Sequence, residues 1–341
     1  MEYRNLGVAG VKVSRLCLGT MMFGGPTNEA ESIRIMHKAC DLGINFFDTA
    51  NVYNDGGSER VVGKAIADRR DQIVLATKGR LPSRSPSGPG GPNDQGASRV
   101  HLLREVEQSL KRLGTDTIDL YYIHSPDRTT PIEETLRTLD RLVQQGKVRH
   151  IGLSNYRAWQ LCQALRAGDR PGAEPIAALQ PLYNIVNRDI EVDLLPLCRE
   201  AGIGVVSYSP LARGVLTAKY KPGEPYPEES RAARGNRRME EAEIREESFV
   251  IAQQLKTLAE SKGVTVTQFA LAWCIANPLL TSAIVGPRTM EQFDDNIGCL
   301  KVQITPEDEA AVDALVPPGE HSGKGFRDPS FPVEGRPVKK N

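Results

Sequence analysis

The chain has no apolar run close to the roughly 20 residues that a membrane-spanning helix requires. Its opening, Met1-Glu2-Tyr3-Arg4, lacks the hydrophobic core of a secretory signal, so a cytoplasmic protein is expected. It has no excess charge of either sign, because 43 Lys+Arg face 43 Asp+Glu. Neither nucleic acid nor an anionic membrane is therefore expected as a partner. Cysteine is sparse and scattered: Cys17, Cys40, Cys162, Cys198, Cys274 and Cys299 show no CxxC or CxH spacing, which suits small buried hydrophobes rather than disulfides or zinc ligands. His37, His101, His124, His150 and His321 likewise show no ligand spacing, and no metal is expected. No GxGxxG follows an apolar run, since Gly88, Gly90 and Gly91 have the wrong spacing and sit among Pro and Ser, which argues against a Rossmann dinucleotide site.

What is present is a repeated alternation. Eight short apolar runs, at 16–19, 44–48, 73–78, 118–124, 148–154, 176–180, 203–208 and 281–286, are separated by segments of helical period. Several runs are too apolar for a sheet with one wet face and suit parallel strands covered on both sides. At 341 residues, 40% of them hydrophobic, the chain can bury one large core. Eight strands and eight helices in about 300 residues predict an α/β fold of the (β/α)8 TIM-barrel type, with an open doubly wound sheet as the rival. The expected layout is a single domain: an N-terminal β-hairpin over 1–15 plugging the barrel bottom, a barrel over 16–300, and a C-terminal helix and tail over 301–341. In the hairpin, Tyr3 to Leu6 and Lys12 to Ser14 flank the turn Gly7 to Gly10.

Helix starts are also marked. Thr130-Pro131-Ile132-Glu133 predicts a capping Thr with Pro in the first turn, followed by Ile132, Leu136, Leu139, Leu142 and Val143 on one face and a stop at Gly146. Thr289-Met290-Glu291-Gln292 repeats the capping pattern before Phe293, Ile297 and Leu300. Three stretches exceed ordinary loop length: 80–98, 209–247 and the tail from Pro317. The first two follow strands and so belong to the barrel face where active sites form.

The polar residues that end the apolar runs carry the functional signal, because the C-terminal ends of barrel strands converge on one mouth. These are Asp48, Lys78, His124, Ser154-Asn155, Gln180 and Tyr208. Taken singly, each has an ordinary structural reading. Together they answer the needs of carbonyl reduction: a proton donor for the forming alkoxide and a group that holds the oxygen. Tyr53, five residues beyond Asp48, can be the donor. A free phenol near 10 is a sluggish acid at neutral pH, but a neighbouring Lys78 ammonium favours the phenolate, and Asp48 can keep that ammonium charged. His124 would donate a hydrogen bond to the substrate oxygen.

Asp48-Thr49-Ala50-Asn51-Val52-Tyr53, Ala76-Thr77-Lys78 and Leu120-Tyr121-Tyr122-Ile123-His124 resemble the catalytic tetrad motifs of the aldo-keto reductase superfamily. The likeness continues through Gly146-Lys147-Val148-Arg149-His150-Ile151-Gly152-Leu153-Ser154-Asn155 and Tyr208-Ser209-Pro210-Leu211-Ala212-Arg213-Gly214, in order over nearly the whole chain. At a finer level it is similar to the bacterial aryl-alcohol dehydrogenase-like and general-stress-protein-like branch. The resemblance implies reversible NADPH-dependent reduction of an aldehyde or ketone, with the NADPH/NADP+ dinucleotide extended across the barrel mouth. It implies that the nicotinamide stacks on Tyr208 and that Ser154, Asn155 and Gln180 hold its carboxamide. Gly19, Thr20, Met21 and Asp48 are also implied on the cofactor side.

Ser209, Pro210, Leu211 and Gly214 are implied at the pyrophosphate, with Lys219 and Arg231 adding charge. Gly286 and Arg288 open the last barrel helix, whose N-terminus is an anion site; Arg288 suits a 2′-phosphate, and Gln292 and Asn296 would face the adenosine. Arg213 departs from the residue many relatives carry in this loop and is assigned no phosphate contact, with a surface role left open. Substrate contacts are expected from Met22, Phe23, Tyr53 and His124, and further candidates are Met21, Asn51, Val52, Tyr121, Ser125, Phe326 and Phe331. A second function, from another class, is a redox-sensing regulatory subunit like the potassium-channel β subunits of the same superfamily. The absence of a long extension before the barrel weighs against it.

Overall fold

The computed structural model describes residues 1–82, 91–228, 230–235 and 237–323. Gly88, Gly90, Phe326 and Phe331, and with them much of the 80–98 loop, lie outside the described residues. Among the described residues ten strands form: β1 (Tyr3–Asn5), β2 (Lys12–Ser14), β3 (Leu16–Gly19), β4 (Phe46–Asp48), β5 (Val74–Gly79), β6 (Ile118–Ile123), β7 (Val148–Ser154), β8 (Ile176–Gln180), β9 (Gly204–Ser207) and β10 (Ser282–Val285). The last eight close a parallel barrel in the order β10-β3-β4-β5-β6-β7-β8-β9, while β1 and β2 pair antiparallel. This is the (β/α)8 barrel with its N-terminal hairpin.

Each expected apolar run became a strand, shortened at some ends. Asn45 falls outside β4 because its side chain serves the hairpin, accepting from Ser14 N at 2.8 Å and donating to Lys12 O at 3.0 Å. The helices are α1 (Glu29–Asp41), α2 (Gly57–Ile66), α3 (Arg99–Leu113), α4 (Ile132–Gln144), α5 (Ala158–Gly168), α6 (Leu194–Glu200), α7 (Arg237–Ala242), α8 (Glu246–Ser261), α9 (Val266–Ala276), α10 (Met290–Gly298) and α11 (Pro306–Leu315). Thr289 caps α10 as expected, accepting from Gln292 N at 3.2 Å. Thr130 does not cap α4: the residue after it, Pro131, holds the cap position, and the Thr130 hydroxyl instead donates to Asp127 at 2.8 Å.

Contacts divide the chain into two compact units. The first, Met1–Leu182, Val192–Tyr208 and Ile275–Ile297, contains the hairpin and the barrel. Leu6 and Val13 from the hairpin are fully buried in one cluster with Cys17, Phe46, Ala76, Leu120, Tyr122, Ala178 and Val206 from the strands, so the hairpin plugs the barrel floor. Burying one such aliphatic side chain stabilises by about 1.5–3 kcal/mol. Gly7 (φ +55°) permits the fit, since a Cβ there would lie 2.5 Å from Gly202 O and 2.6 Å from Gly204 N. Arg4 and Arg15 satisfy carbonyls that a helix end leaves open, donating to Ile275 O at 3.2 and 2.9 Å.

The second unit, Tyr183–Glu191, Ser209–Cys274 and the chain from Gly298, has its own aromatic core. Tyr183 stacks on Trp273 at 5.5 Å, Arg188 lies 5.2 Å over the same indole, and the indole NH donates to Glu309 at 2.8 Å. None of the six cysteines, all among the described residues, is in a disulfide; Cys17, Cys198, Cys274 and Cys299 are buried as expected, whereas Cys162 is exposed and Cys40 half-buried.

Candidate active site

Strand periodicity decides what reaches the barrel mouth. Asp48 ends β4, Lys78 is the next-to-last residue of β5, and His124 directly follows β6; Ser154 ends β7, Gln180 ends β8, and Tyr208 directly follows β9. Lys78 is paired with Tyr122 in the ladder, and Ser154 with Gln180. All of these residues belong to the first unit.

Lys78 is fully buried, and an ammonium without water needs three acceptors. It has three. Its Nζ forms an ion pair with Asp48 Oδ1, donates to Thr49 O at 2.7 Å and donates to the Tyr53 hydroxyl at 3.4 Å. The same nitrogen stands 5.0 Å from the Tyr53 ring centroid. Burial alone would depress this lysine, but the Asp48 carboxylate and the Tyr53 oxygen together outweigh it and hold the group above its ordinary 10.5. Lys78 is thus a permanent cation at neutral pH. The second Asp48 oxygen accepts from Gln180 Nε2 at 2.8 Å, so both oxygens of the carboxylate are occupied.

The His124 ring meets the Tyr53 ring edge-on, with centroids 5.9 Å apart and planes at 82°. Its backbone is fixed from both sides: His124 N donates to Gly79 O at 3.0 Å, and His124 O accepts from Asn155 Nδ2 at 2.9 Å. Burial, and then the positive charges of Lys78 and Arg80, push the imidazole well below its usual 6.5. The ring is therefore neutral, with one nitrogen able to donate and one to accept. Its Nδ1 is buried without a hydrogen-bond partner among the described residues.

Asn155 adopts a left-handed backbone (φ +62°), which Asn tolerates better than most residues. Its Oδ1 accepts from the Tyr208 hydroxyl at 2.7 Å, and its Nδ2 also approaches Ser154 Oγ at 3.1 Å. Ser154 Oγ in turn donates to Gln180 O at 2.9 Å. The four residues expected at the nicotinamide are thus joined in one hydrogen-bonded array that fixes the half-buried Tyr208 ring.

Other expected residues are placed as follows. Gly19 ends β3, where a Cβ would lie 2.5 Å from Ile284 Cγ2. Thr20 is fully buried, its hydroxyl donating to Asp48 O at 3.0 Å and lying 2.8 Å from Ser58 Oγ. Met21 O accepts from Asn54 at 3.0 Å, and Met22 is half-buried beside it. Phe23 is fully buried. Gly286 is exposed; Arg288 is half-buried, with its backbone N donating to Gln292 Oε1 at 2.9 Å; and Asn296 is buried. Tyr121, expected as a further substrate candidate, lies on the other side of its strand: Leu120 and Tyr122 point into the barrel, so Tyr121 between them faces the helices, fully buried against Gly79.

In the second unit, Ser209 (φ +54°) and Gly214 (φ +101°) bracket a tight turn that includes Pro210 and Leu211, and Gly214 N is engaged by Leu211 O at 2.8 Å. Lys219 is exposed, its Nζ 5.2 Å from the Tyr220 ring, and Arg231 is half-buried. Arg213 is not a surface residue: its side chain is 13% exposed and faces the fully buried Glu243 at 3.9 Å.

Sequence reasoning missed one group altogether. Ser58 and Glu59, on the first turn of α2, are fully buried, and Glu59 accepts from Thr77 Oγ1 at 2.6 Å and from Arg112 Nε at 2.5 Å. The signal was readable, because Glu59 shares a helical face with Val62, Gly63 and Ile66 at i, i+3, i+4 and i+7.

The sequence has known relatives. Residues 15–317 match the model of the aldo/keto reductase family. The chain is 38% identical to "Uncharacterized oxidoreductase YrpG" of Bacillus subtilis, covering 96% of this chain and 99% of that protein. It is 39% identical to "Probable voltage-gated potassium channel subunit beta" of Arabidopsis thaliana (89% and 92% covered), and 34% identical to "Versiconal hemiacetal acetate reductase" of Aspergillus parasiticus (95% and 100%). With a family match over most of its length and relatives of this identity end to end, the chain belongs to the aldo/keto reductase family and is an oxidoreductase by that membership.

Proposed function

We propose that the protein is an NADPH-dependent reductase of aldehydes or ketones, with Tyr53 as proton donor, Lys78 and Asp48 as its tuning pair and His124 as the group that orients the carbonyl. The observation that carries this reading is the Lys78 ammonium, fully buried and shared between Asp48 and the Tyr53 hydroxyl. A cation at that oxygen favours the phenolate, so the phenol gives up its proton more readily than it would in water. A neutral His124 can donate to the substrate oxygen without competing for the transferred proton.

The residues present fit a nicotinamide ring: a half-buried aromatic face with its hydroxyl tied down, flanked by two amides and a hydroxyl that set the rotation of a carboxamide. Ser154, Asn155, Gln180 and Tyr208 would hold it, and when bound in reduced form it supplies the hydride. Arg288, at the start of α10, is the proposed 2′-phosphate partner, with Gly286, Gln292 and Asn296 beside it and Gly19, Thr20 and Met21 at the end of β3. For Ser209, Pro210, Leu211, Gly214, Lys219 and Arg231, a pyrophosphate role is carried by the resemblance alone.

The test is Tyr53→Phe, followed by NADPH absorbance with a simple aromatic aldehyde. Turnover should fall at least a hundredfold while NADPH binding stays within a few fold, because loss of an acid catalyst is worth about 10²–10⁴. Full activity in this variant would overturn the assignment.

A second reading, an NADPH-binding regulatory subunit with little turnover, is favoured by the likeness to a plant protein named as a potassium channel β subunit. Tight cofactor retention with negligible turnover on aldehydes, diketones, sugars and polycyclic ketones would support it. Rapid steady-state reduction of any of them would exclude it.

A further inference from the structure

Tyr53 is held in a segment that the backbone alone does not favour. The three residues after it, Asn54 (φ +51°), Asp55 (φ +52°) and Gly56 (φ +77°), are all left-handed. For the two non-glycine residues this costs on the order of 1 kcal/mol or more each, so the surroundings must impose the conformation. The constraints can be named. Asn54 Nδ2 donates to Met21 O at 3.0 Å and to Phe23 O at 2.8 Å. Ser58 Oγ donates to Thr20 O at 2.7 Å and lies 2.8 Å from both the Thr20 and Thr49 hydroxyls.

The remaining constraint links this segment to the lysine strand. Glu59 is fully buried on the first turn of α2, six residues after Tyr53, and one carboxylate oxygen accepts from the hydroxyl of Thr77 at 2.6 Å. Thr77 is the immediate neighbour of Lys78 on β5 and, by strand alternation, faces the helices while Lys78 faces the barrel. The other Glu59 oxygen is fixed by Arg112 Nε at 2.5 Å, and Arg112 is held by Glu105 at 2.6 Å and by Ser109 at 3.2 Å. A buried carboxylate unsatisfied at either oxygen would be costly, and here each oxygen has a donor.

We propose that Glu59 is a positioning residue: through Thr77 on one side and α2 on the other, it locks the separation of the Tyr53 hydroxyl from the Lys78 ammonium. The proposal rests on the reading of Tyr53 and Lys78 as the proton-handling pair. A bare ion-pair network between helices would need only Arg112, Glu105 and Glu59. The additional bond to Thr77 ties that network to the residue beside the catalytic lysine, at the one strand whose slippage would open the 3.4 Å contact.

The experiment compares Thr77→Val, Thr77→Ser and Glu59→Gln with wild type and Tyr53→Phe, measuring kcat, KM, the pH profile of kcat, NADPH affinity and thermal stability. Valine keeps the volume and branching of threonine and leaves the Glu59–Arg112 ion pair in place, so Thr77→Val is expected to fold with a lowered melting temperature from the one Glu59 oxygen that loses its donor. Its kcat should fall about tenfold to a hundredfold, as a small misplacement of a reacting group predicts, with KM and NADPH affinity little changed and the pH profile displaced. Serine should restore most of the loss, and Glu59→Gln should shift the pH profile in the same direction as valine. A Thr77→Val protein with wild-type kcat and pH profile beside an inactive Tyr53→Phe rejects the positioning role alone. Loss of stability in Thr77→Val with an unmoved pH profile rejects it too. An active Tyr53→Phe rejects the underlying reading.

Discussion

Gln180 Nε2 donates to Asp48 Oδ2 at 2.8 Å, a bond between residues 132 positions apart in the chain. The amide that the family resemblance assigns to the cofactor is therefore also a support for the carboxylate that neutralises Lys78. Gln180→Leu should destabilise the cofactor-free protein by about 1–3 kcal/mol, the cost of a buried acceptor that loses its donor. Thermal melts without cofactor check this, because a residue serving only the nicotinamide would leave them unchanged.

Asp48→Asn leaves the Lys78 ammonium buried without its counter-charge, and breaking such a pair from one side costs on the order of 3–5 kcal/mol. Lys78 is held above its ordinary 10.5 in the folded state, so its contribution to stability is complete below that pH and is lost as pH rises through the folded value. The stability gap between wild type and Asp48→Asn should accordingly be constant from pH 6 to 9 and narrow above about 10.5. Urea melts across this range would show it; a gap independent of alkaline pH would contradict the pairing.

His124 moves in the opposite sense. Its folded-state value lies well below 6.5, chiefly through burial, so the unfolded chain binds the proton more readily. Its contribution is fully present above 6.5 and is lost as pH falls below that value. Relative to His124→Gln, the wild type should lose stability between about pH 6.5 and 5, and the imidazole NMR signal of folded His124 should not titrate near 6.5.

Arg288 provides the test of coenzyme choice. Replacement by Ala should weaken NADPH about ten- to a hundredfold, the range of a charge-assisted hydrogen bond, and leave NADH nearly unaffected. Equal weakening of both dinucleotides would remove the 2′-phosphate from its role.

The barrel was legible because its strands are covered on both faces and so read as apolar runs, six of the eight ended by a polar or aromatic residue. Asp48, Lys78 and His124 of the proposed proton-handling set followed from those endings, and Tyr53 from the loop after Asp48. What escaped was of two kinds. Tyr121 was expected near the substrate because it stands on the strand that leads to His124, three residues further on, whereas a period of two sends it to the helix side, where Gly79 makes room for its hydroxyl. Glu59 escaped because an acidic residue in the first turn of a helix has an ordinary explanation in the helix dipole, which masked its place on the same apolar face as Val62, Gly63 and Ile66. Thr130 failed as a cap for a related reason: Asp127, three residues earlier, competes for its hydroxyl.

The seam that closes the barrel joins β3 to β10, pairing Leu16 with Ala283 and Leu18 with Val285. Those partners stand at opposite ends of the folded sequence. During synthesis, the first strand must therefore remain with one edge unpaired until nearly every other element has left the ribosome, and contacts of such long sequence separation form slowly. Refolding from denaturant should populate an open sheet of consecutive strands before the ring shuts, and a cross-link between β3 and β10 should suppress that species.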